Sequence, residues 1–308
     1  MKLDQTYSLS DFAEFINAKF IGKPDHPITG INEIHMVEAG DLTFVDHPKY
    51  YDKALNSAAT TILINKEVAC PEGKALLISD DPFADYVKLV KKFRRFQASS
   101  SAVSPTAKIG EGTIIQPNCF IGNHVKIGKN CIIHANVTIY DHVEIGDEVV
   151  IHSGSVIGAD AYYFQRRPEG YRKLESCGRV ILRDRVEIGA LCAIDRGVSG
   201  DTVIDEGTKT DNHCQVGHDT YIGKNCLIGA FAAIAGVTRI EDDVILWARV
   251  AINKDIVIGK GAVVLAVSAV DKSIEGGKTY FGAPVMEARK KWKEMALIRK
   301  LPELFEKK

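Results

Sequence analysis

From Ile109 onward an isoleucine returns at every sixth residue, at positions 109, 115, 121, 127, 133, 139, 145, 151 and 157. The beat resumes at Ile188 and Ile194, and again from Ile204 through Thr210, Val216, Ile222, Ile228, Ile234, Ile240, Leu246, Ile252, Ile258, Val264 and Val270. Six is no multiple of the helical 3.6 but is a multiple of the strand period of 2, so each unit predicts a short strand followed by a turn. Glycine often follows the aliphatic residue, as at 110, 122, 128, 146, 158, 189, 217, 223, 229 and 259, which suits a tight corner. Three units make a triangular coil of 18 residues. Stacked coils would bury one aliphatic side chain from every unit in a continuous core. The expectation is a mainly β chain, with a parallel β-helix of hexapeptide repeats over residues 101–284.

The beat breaks twice, at residues 159–179 (ADAYYFQRRPEGYRKLESCGR) and from Gly197 to Asp201. Insertions of this kind read as surface loops, where ligand contacts concentrate. Residues 1–100 do not follow the beat. Ser10 can cap a helix in DFAEFINAKF, ATTILINKEV and KALLISD read as strands, and DPFADYVKLVKKFRRF reads as a helix leading into the Ser-rich ASSSAVSP. This predicts a small N-terminal α/β domain. Residues 285–308 have helical spacing, with eight basic against four acidic residues from Glu287 onward, and predict a basic C-terminal α-helix.

Bulk composition narrows the classes. Lys and Arg number 39 against 40 Asp and Glu, so nothing points to nucleic acid or a membrane surface as a partner of the whole molecule. The seven cysteines show no CxxC pairing and read as reduced, buried small apolar residues. No window reaches the ~18 apolar residues of a spanning helix, and the first residues lack the pattern of a signal peptide. A cytoplasmic location is expected.

Four stretches carry a more specific resemblance: GDLTFVDHPKYY, GRVILRDRVEIGALCAIDRG, TDNHCQVGHDTYIG and FGAPV. Together they resemble the UDP-3-O-(3-hydroxyacyl)glucosamine N-acyltransferases of lipid A biosynthesis, members of the hexapeptide-repeat superfamily. The resemblance implies a left-handed parallel β-helix assembled as a homotrimer. It implies transfer of a 3-hydroxyacyl chain from acyl carrier protein to the 2-amine of a UDP-linked, 3-O-acylated glucosamine. No dissociable cofactor or metal is implied, because the acyl donor is carried on the phosphopantetheine of the carrier protein.

His213 and His218 stand five residues apart in TDNHCQVGHDTYIGKNC. His218 lies two residues after the inward Val216, and one coil on the matching position is Gly236, so the two should stack roughly 4.8 Å apart, the spacing of neighbouring strands. A base and a backbone N–H facing one point suit acyl transfer. The resemblance names the same pair, His218 as general base and the Gly236 N–H as oxyanion donor. It also makes Asp211 the matching acidic position, orienting or polarising His218; a carboxylate on a corner can equally be a turn former. The His213/His218 spacing also looks like the zinc pair of γ-class carbonic anhydrases. A catalytic zinc keeps three protein ligands, and no histidine occurs between His152 and His213 to supply the third.

In the first domain Phe44, Lys49, Tyr50 and Tyr51 crowd together. They read either as a strand end with core aromatics or as a platform for a base with a lysine for phosphate. The resemblance implies uridine binding here, with His47 standing where the family usually has Asn. A second departure is Ile252-Asn253-Lys254-Asp255, where the family commonly carries another histidine at the position of Asp255. In the terminal helix Arg289, Lys290, Lys291 and Lys293 are candidates for docking an acidic carrier protein. Two rival readings stand beside this one: an acetyl-CoA-dependent sugar-nucleotide acetyltransferase on the same scaffold, and a non-enzymatic β-helix scaffold.

Overall fold

A computed structural model describes residues 1–306 and places them in two compact units. Residues 99–159, 179–196 and 201–306 make up the repeat unit. Its strands are mostly two residues long and pair in parallel on three faces. Face one runs from Lys108–Ile109 to Val257–Ile258, face two from Ile114–Ile115 to Val263–Val264, and face three from Phe120–Ile121 to Ala269–Val270. Every residue of the six-beat from Ile121 to Val270 is buried, and Thr210 takes its place in the column by bonding through Oγ1 to the Gly189 N–H.

A second inward column lies two residues before the first. Cys119, Val125, Cys131, Val137, Val143, Val149, Cys192, Cys214 and Cys226 all join the same core. That accounts for five of the seven cysteines, as small apolar residues packed between coils; none of the seven is in a disulfide.

Glycine serves a different purpose from the one its place in the repeat suggests. The left-handed turn residue falls three positions after the inward aliphatic, as at Asn130 (φ 55°), His213 (59°) and Asn225 (53°), while of the glycines directly after it only Gly158 (91°), at the start of the larger break, has positive φ. They are glycine because the coils approach too closely there: a Cβ on Gly110 would lie 2.4 Å from the Gly128 carbonyl oxygen.

The turn residues differ between corners. Between faces one and two they are polar or glycine, including Asn130, Glu148, Arg185, Asn225 and Asp243. Between faces two and three the first coils turn at Asn118, Asn136 and Gly154, and the later ones at Leu191, His213, Phe231, Arg249 and Val267, all left-handed. Leu191, Phe231 and Val267 are more than half exposed there, as is the adjacent Trp247. Left-handed backbone at a β-branched valine is strained, so this corner carries apolar side chains against local preference.

The first unit comprises residues 1–98 together with 160–178 and 197–200. Strands β1 (Lys2–Ser8), β2 (Lys19–Ile21), β3 (Pro27–Ile31), β4 (Asp41–Val45), β5 (Thr61–Ile64) and β6 (Ala75–Ile78) form one sheet in the order β1-β3-β4-β5-β6-β2. Its middle is parallel and its two edges antiparallel. Strand alternation splits the core: Leu42, Leu63 and Leu77 pack with helices α1 (Leu9–Ile16) and α3 (Pro82–Phe93), while Val45, Ile62, Ile64 and Leu76 pack with α2 (Tyr51–Leu55). The cap of α1 is Ser8, not Ser10: Ser8 and Asp11 form a capping box, and the chain leaves the helix at a left-handed Asn17 so that Lys19–Ile21 becomes a strand.

The two breaks in the beat are therefore not surface loops of the repeat unit. Across them, partners on adjacent coils stand further apart than 18 residues: Ile157 pairs with Ile194 and then Ile194 with Val216. Ala161, Leu174, Cys177 and Val198 from the breaks are buried in the α1/α3 core. The larger break also forms a hairpin, Phe164–Arg167 paired with Gly170–Lys173. Helix α4 (Ala288–Glu306) ends the described chain, so the last two lysines of the basic segment lie outside the described residues. Among the described residues no helix is long and apolar enough to cross a membrane.

Candidate active site

His218 and Gly236 sit one coil apart on the corner between faces three and one, held by the parallel register Val216↔Ile234. The contact is direct. A Cβ built on Gly236 would lie 2.7 Å from His218 Nε2, 2.8 Å from Cε1 and 2.9 Å from Cδ2, so the imidazole rests where any larger residue would intrude. The His218 carbonyl accepts the Val237 N–H at 2.8 Å, which fixes the backbone on which the ring is hung.

The carboxylate that meets His218 is Asp219. Its Oδ2 is 2.9 Å from His218 Nδ1, and its side chain is fully buried. An ionised carboxylate accepts but cannot donate, so in the neutral imidazole this pairing places the proton on Nδ1 and the lone pair on Nε2, the nitrogen beside Gly236. Asp211 does not do this within the chain. It follows face two rather than face three, and its Oδ1 accepts the Asn212 N–H at 2.7 Å, the turn-forming alternative for a corner carboxylate. Asp219 is a left-handed turn residue with φ 55°. Its position in the repeat marks it as a corner, and only its burial reveals the pairing.

At several other corners the backbone N–H two residues after an inward aliphatic is capped by a side chain of the next coil. Asp141 Oδ1 accepts from Asn123, Asp147 from Lys129, Asp242 from Lys224 and Asn212 from Ala190, at 2.7–2.9 Å. The same position one coil beyond Gly236 is Lys254, which has no acceptor. Among the described residues the Gly236 N–H therefore lacks the cap that those four positions have, and it stays available beside the imidazole.

His213 belongs to a different corner. Its ring stacks on Phe231 at 4.7 Å and 7°, and the Arg249 guanidinium lies 5.9 Å from the same phenyl ring. The two histidines of TDNHCQVGHDTYIGKNC are thus a turn residue in an aromatic ladder and a carboxylate-paired imidazole. Asp255, another left-handed turn residue, donates its N–H to the Gly236 carbonyl at 3.3 Å.

In the first unit the structure brings His47, Lys49 and Tyr50 together and sets Phe44 apart. His47 Nδ1 accepts the Lys49 N–H at 3.2 Å and caps the turn Pro48–Tyr50. The His47 and Tyr50 rings are 5.9 Å apart, and Lys49 Nζ is 5.6 Å from the Tyr50 ring. Phe44 is half-buried against Tyr86 at 4.7 Å and Phe83 at 5.9 Å, as a core aromatic would be, and Tyr50 is the exposed ring. Beside this loop stands a residue that sequence spacing misses: Asp46, whose Oδ2 accepts from Gln165 and Arg167 of the hairpin.

On α4 two of the four candidate cations already have partners, Lys290 with Glu287 at 3.7 Å and Lys291 with Glu294 at 2.9 Å. Arg289 and Lys293 have no carboxylate partner among the described residues.

A family model described as UDP-3-O-(3-hydroxymyristoyl) glucosamine N-acyltransferase matches residues 25–92, and one for bacterial transferase hexapeptides matches residues 106–141, 124–159 and 201–236. The UDP-3-O-acylglucosamine N-acyltransferase of Campylobacter lari is 39% identical over 92% of this chain and 94% of its own. That of Oleidesulfovibrio alaskensis is 36% identical over 97% and 94%. Among solved structures, the UDP-N-acetylglucosamine acyltransferase of Francisella novicida superposes with a TM-score of 0.57 at 25% identity, over 62% of this chain and 69% of its own. The corresponding enzyme of Bacteroides fragilis gives 0.56 at 28%, over 63% and 74%. With relatives more than 30% identical across over nine-tenths of both chains, the chain is an acyltransferase and belongs to the UDP-3-O-acylglucosamine N-acyltransferase family.

Proposed function

We propose that the protein transfers a 3-hydroxyacyl chain from the phosphopantetheine thiol of acyl carrier protein to the 2-amine of UDP-3-O-(3-hydroxyacyl)glucosamine, with His218 as general base. The observation that carries this reading is the His218–Asp219 pair set against an uncapped Gly236 N–H. The amine attacks the thioester carbonyl carbon, and His218 Nε2 takes its proton. The oxygen that becomes negative receives the Gly236 N–H, and Asp219 stabilises the imidazolium. Collapse of the tetrahedral intermediate breaks the C–S bond, and the imidazolium returns the proton to the leaving thiolate. The chemistry calls on no dissociable cofactor. Product mass spectrometry tests it: 3-hydroxyacyl carrier protein should yield the N-acylated sugar nucleotide. Product from acetyl-CoA alone would favour the acetyltransferase reading, and no product from either donor a scaffold.

The uridine is assigned to the loop bearing His47, Lys49 and Tyr50, with Phe44 behind it. Tyr50 offers the exposed ring for stacking and Lys49 the cation for phosphate.

The carrier protein is assigned to α4. Arg289, Lys290 and Lys291 crowd the first helical turn, which holds no acidic residue. Cations there oppose the helix dipole, so they stand against local stability and suit an acidic partner outside the helix. Reversing the charge of Arg289 and Lys293 should slow turnover at low salt more than at high salt. An unchanged salt profile would remove α4 from the docking site.

A homotrimer is assigned to the apolar corner of Leu191, Phe231, Trp247 and Val267, which a neighbouring copy would bury. Phe231→Glu should shift sedimentation from trimer toward monomer. A wild-type monomer in the same experiment would sink the assignment.

A further inference from the structure

The hairpin Phe164–Arg167/Gly170–Lys173 interrupts the repeat yet belongs to the first unit, and its inner face meets the root of the candidate nucleotide loop. Gln165 Nε2 and Arg167 Nη2 both donate to Asp46 Oδ2, at 2.7 Å and 2.9 Å. Asp46 ends the run out of β4 and directly precedes His47, Pro48, Lys49 and Tyr50, all of them exposed. Its backbone carbonyl also accepts from Asn65 Nδ2 at 3.0 Å, and Asn65 is bonded in turn to the Tyr51 hydroxyl. Both ends of the exposed loop are thereby tied, one through Asp46 and the other through Tyr51.

Gln165 and Arg167 alternate along one strand and so point to the same side of the hairpin. That side is enclosed: Tyr163, on the same alternation, has its hydroxyl pushed up to about 12 by burial and by the nearby charges of Glu33 and Asp46. Arg167 is only one-third exposed and Asp46 about one-fifth, which makes this a partly desolvated charge-assisted contact rather than a solvated surface pair. The neighbouring strand has a separate anchor, Arg172 Nη1 on Asp81 at the cap of α3.

We propose that Arg167, seconded by Gln165, is a positioning residue for the nucleotide: by fixing Asp46 it sets the orientation of the His47–Tyr50 turn that receives the nucleoside diphosphate. Affinity for UDP then depends on residues that the sequence places more than a hundred positions away, inside the repeat. This rests on the uridine assignment made above.

Calorimetric titration of the whole chain with UDP tests it, alongside steady-state kinetics and thermal melting. Arg167→Ala and Asp46→Ala should each weaken UDP binding about tenfold, and the double variant no further than either single one, as coupled partners behave. KM for the UDP-sugar should rise with kcat unchanged, the mark of uniform binding lost. Arg167→Lys, which can still reach Asp46, should recover most of the affinity. Arg172→Ala loosens the hairpin elsewhere and should melt lower without changing UDP affinity. Wild-type affinity in Arg167→Ala, with Tyr50→Ala clearly weakened, would overturn the positioning role and leave the uridine assignment standing. Wild-type affinity in Tyr50→Ala would overturn the assignment itself. Equal losses in Arg172→Ala and Arg167→Ala would reduce the hairpin to a structural part and also end the proposal. Should Arg167→Ala fail to fold, Gln165→Leu carries the same comparison, since it removes one of the two bonds to Asp46 and keeps the ion pair.

Discussion

His218→Ala is expected to lower kcat by ~10²–10⁴, the usual cost of losing a general base, while UDP binding and the melting temperature stay near wild type. The fold should survive because the inward side chain of this unit is Val216, fully buried, and His218 projects from the corner beyond it. Asp219→Asn separates the imidazole from its charge partner without removing it. An amide can donate to Nδ1 as readily as accept from it, so the ring is no longer held with its lone pair at Nε2, and activity should fall by more than tenfold. Asp211→Asn should be far milder, since Asp211 bonds the Asn212 N–H on another corner. A His218→Ala enzyme that kept near-normal N-acylation would remove the base assignment.

Gly236→Ala is expected to cost ~10²–10³ in kcat, comparable to losing an oxyanion donor, although it adds a single methyl group. Gly236 has no positive φ, so alanine fits the backbone. The new Cβ would instead arrive 2.7 Å from His218 Nε2 and displace the ring. The side chain at fault is the flexible one, so the helix itself should not give way, and melting should be unaffected. Because both changes act on one ring, His218→Ala with Gly236→Ala should be little worse than His218→Ala alone. The test is kcat together with the imidazole NMR signals of His218. An enzyme within a few-fold of wild type, with those signals unmoved, would mean that the ring and the glycine are independent.

Much of the site is legible in the repeat, because a strict period converts sequence distance into spatial distance. The 18-residue coil by itself puts His218 over Gly236, and the register Val216↔Ile234 agrees. What the period cannot convey is depth. Asp219 and Asp211 are both corner carboxylates within the same hexapeptide pattern, and only burial separates the partner from the turn former. The glycine column has the same ambiguity: a tight turn and a close approach between coils both call for glycine, and distances such as Gly110 Cβ to Gly128 O decide for the second. In the first domain, short apolar runs find β5 and β6, but the Asp46–Arg167 contact joins residues 121 apart and leaves no local pattern to read.

The burial of Ala161, Leu174, Cys177 and Val198 in the core of the first unit has a consequence for synthesis on the ribosome. The N-terminal segment leaves the exit tunnel first, but its apolar centre cannot close until Val198 has followed, a hundred residues after Ala98. At translation speeds of roughly 5–20 residues per second that interval lasts ~5–20 s. During it the core cluster that Ala161, Leu174, Cys177 and Val198 complete is unfinished, while the first hexapeptide coils, whose contacts are local, can already stack. The protein thus emerges with its middle able to set before its beginning, and its dependence on chaperones should be concentrated in that window.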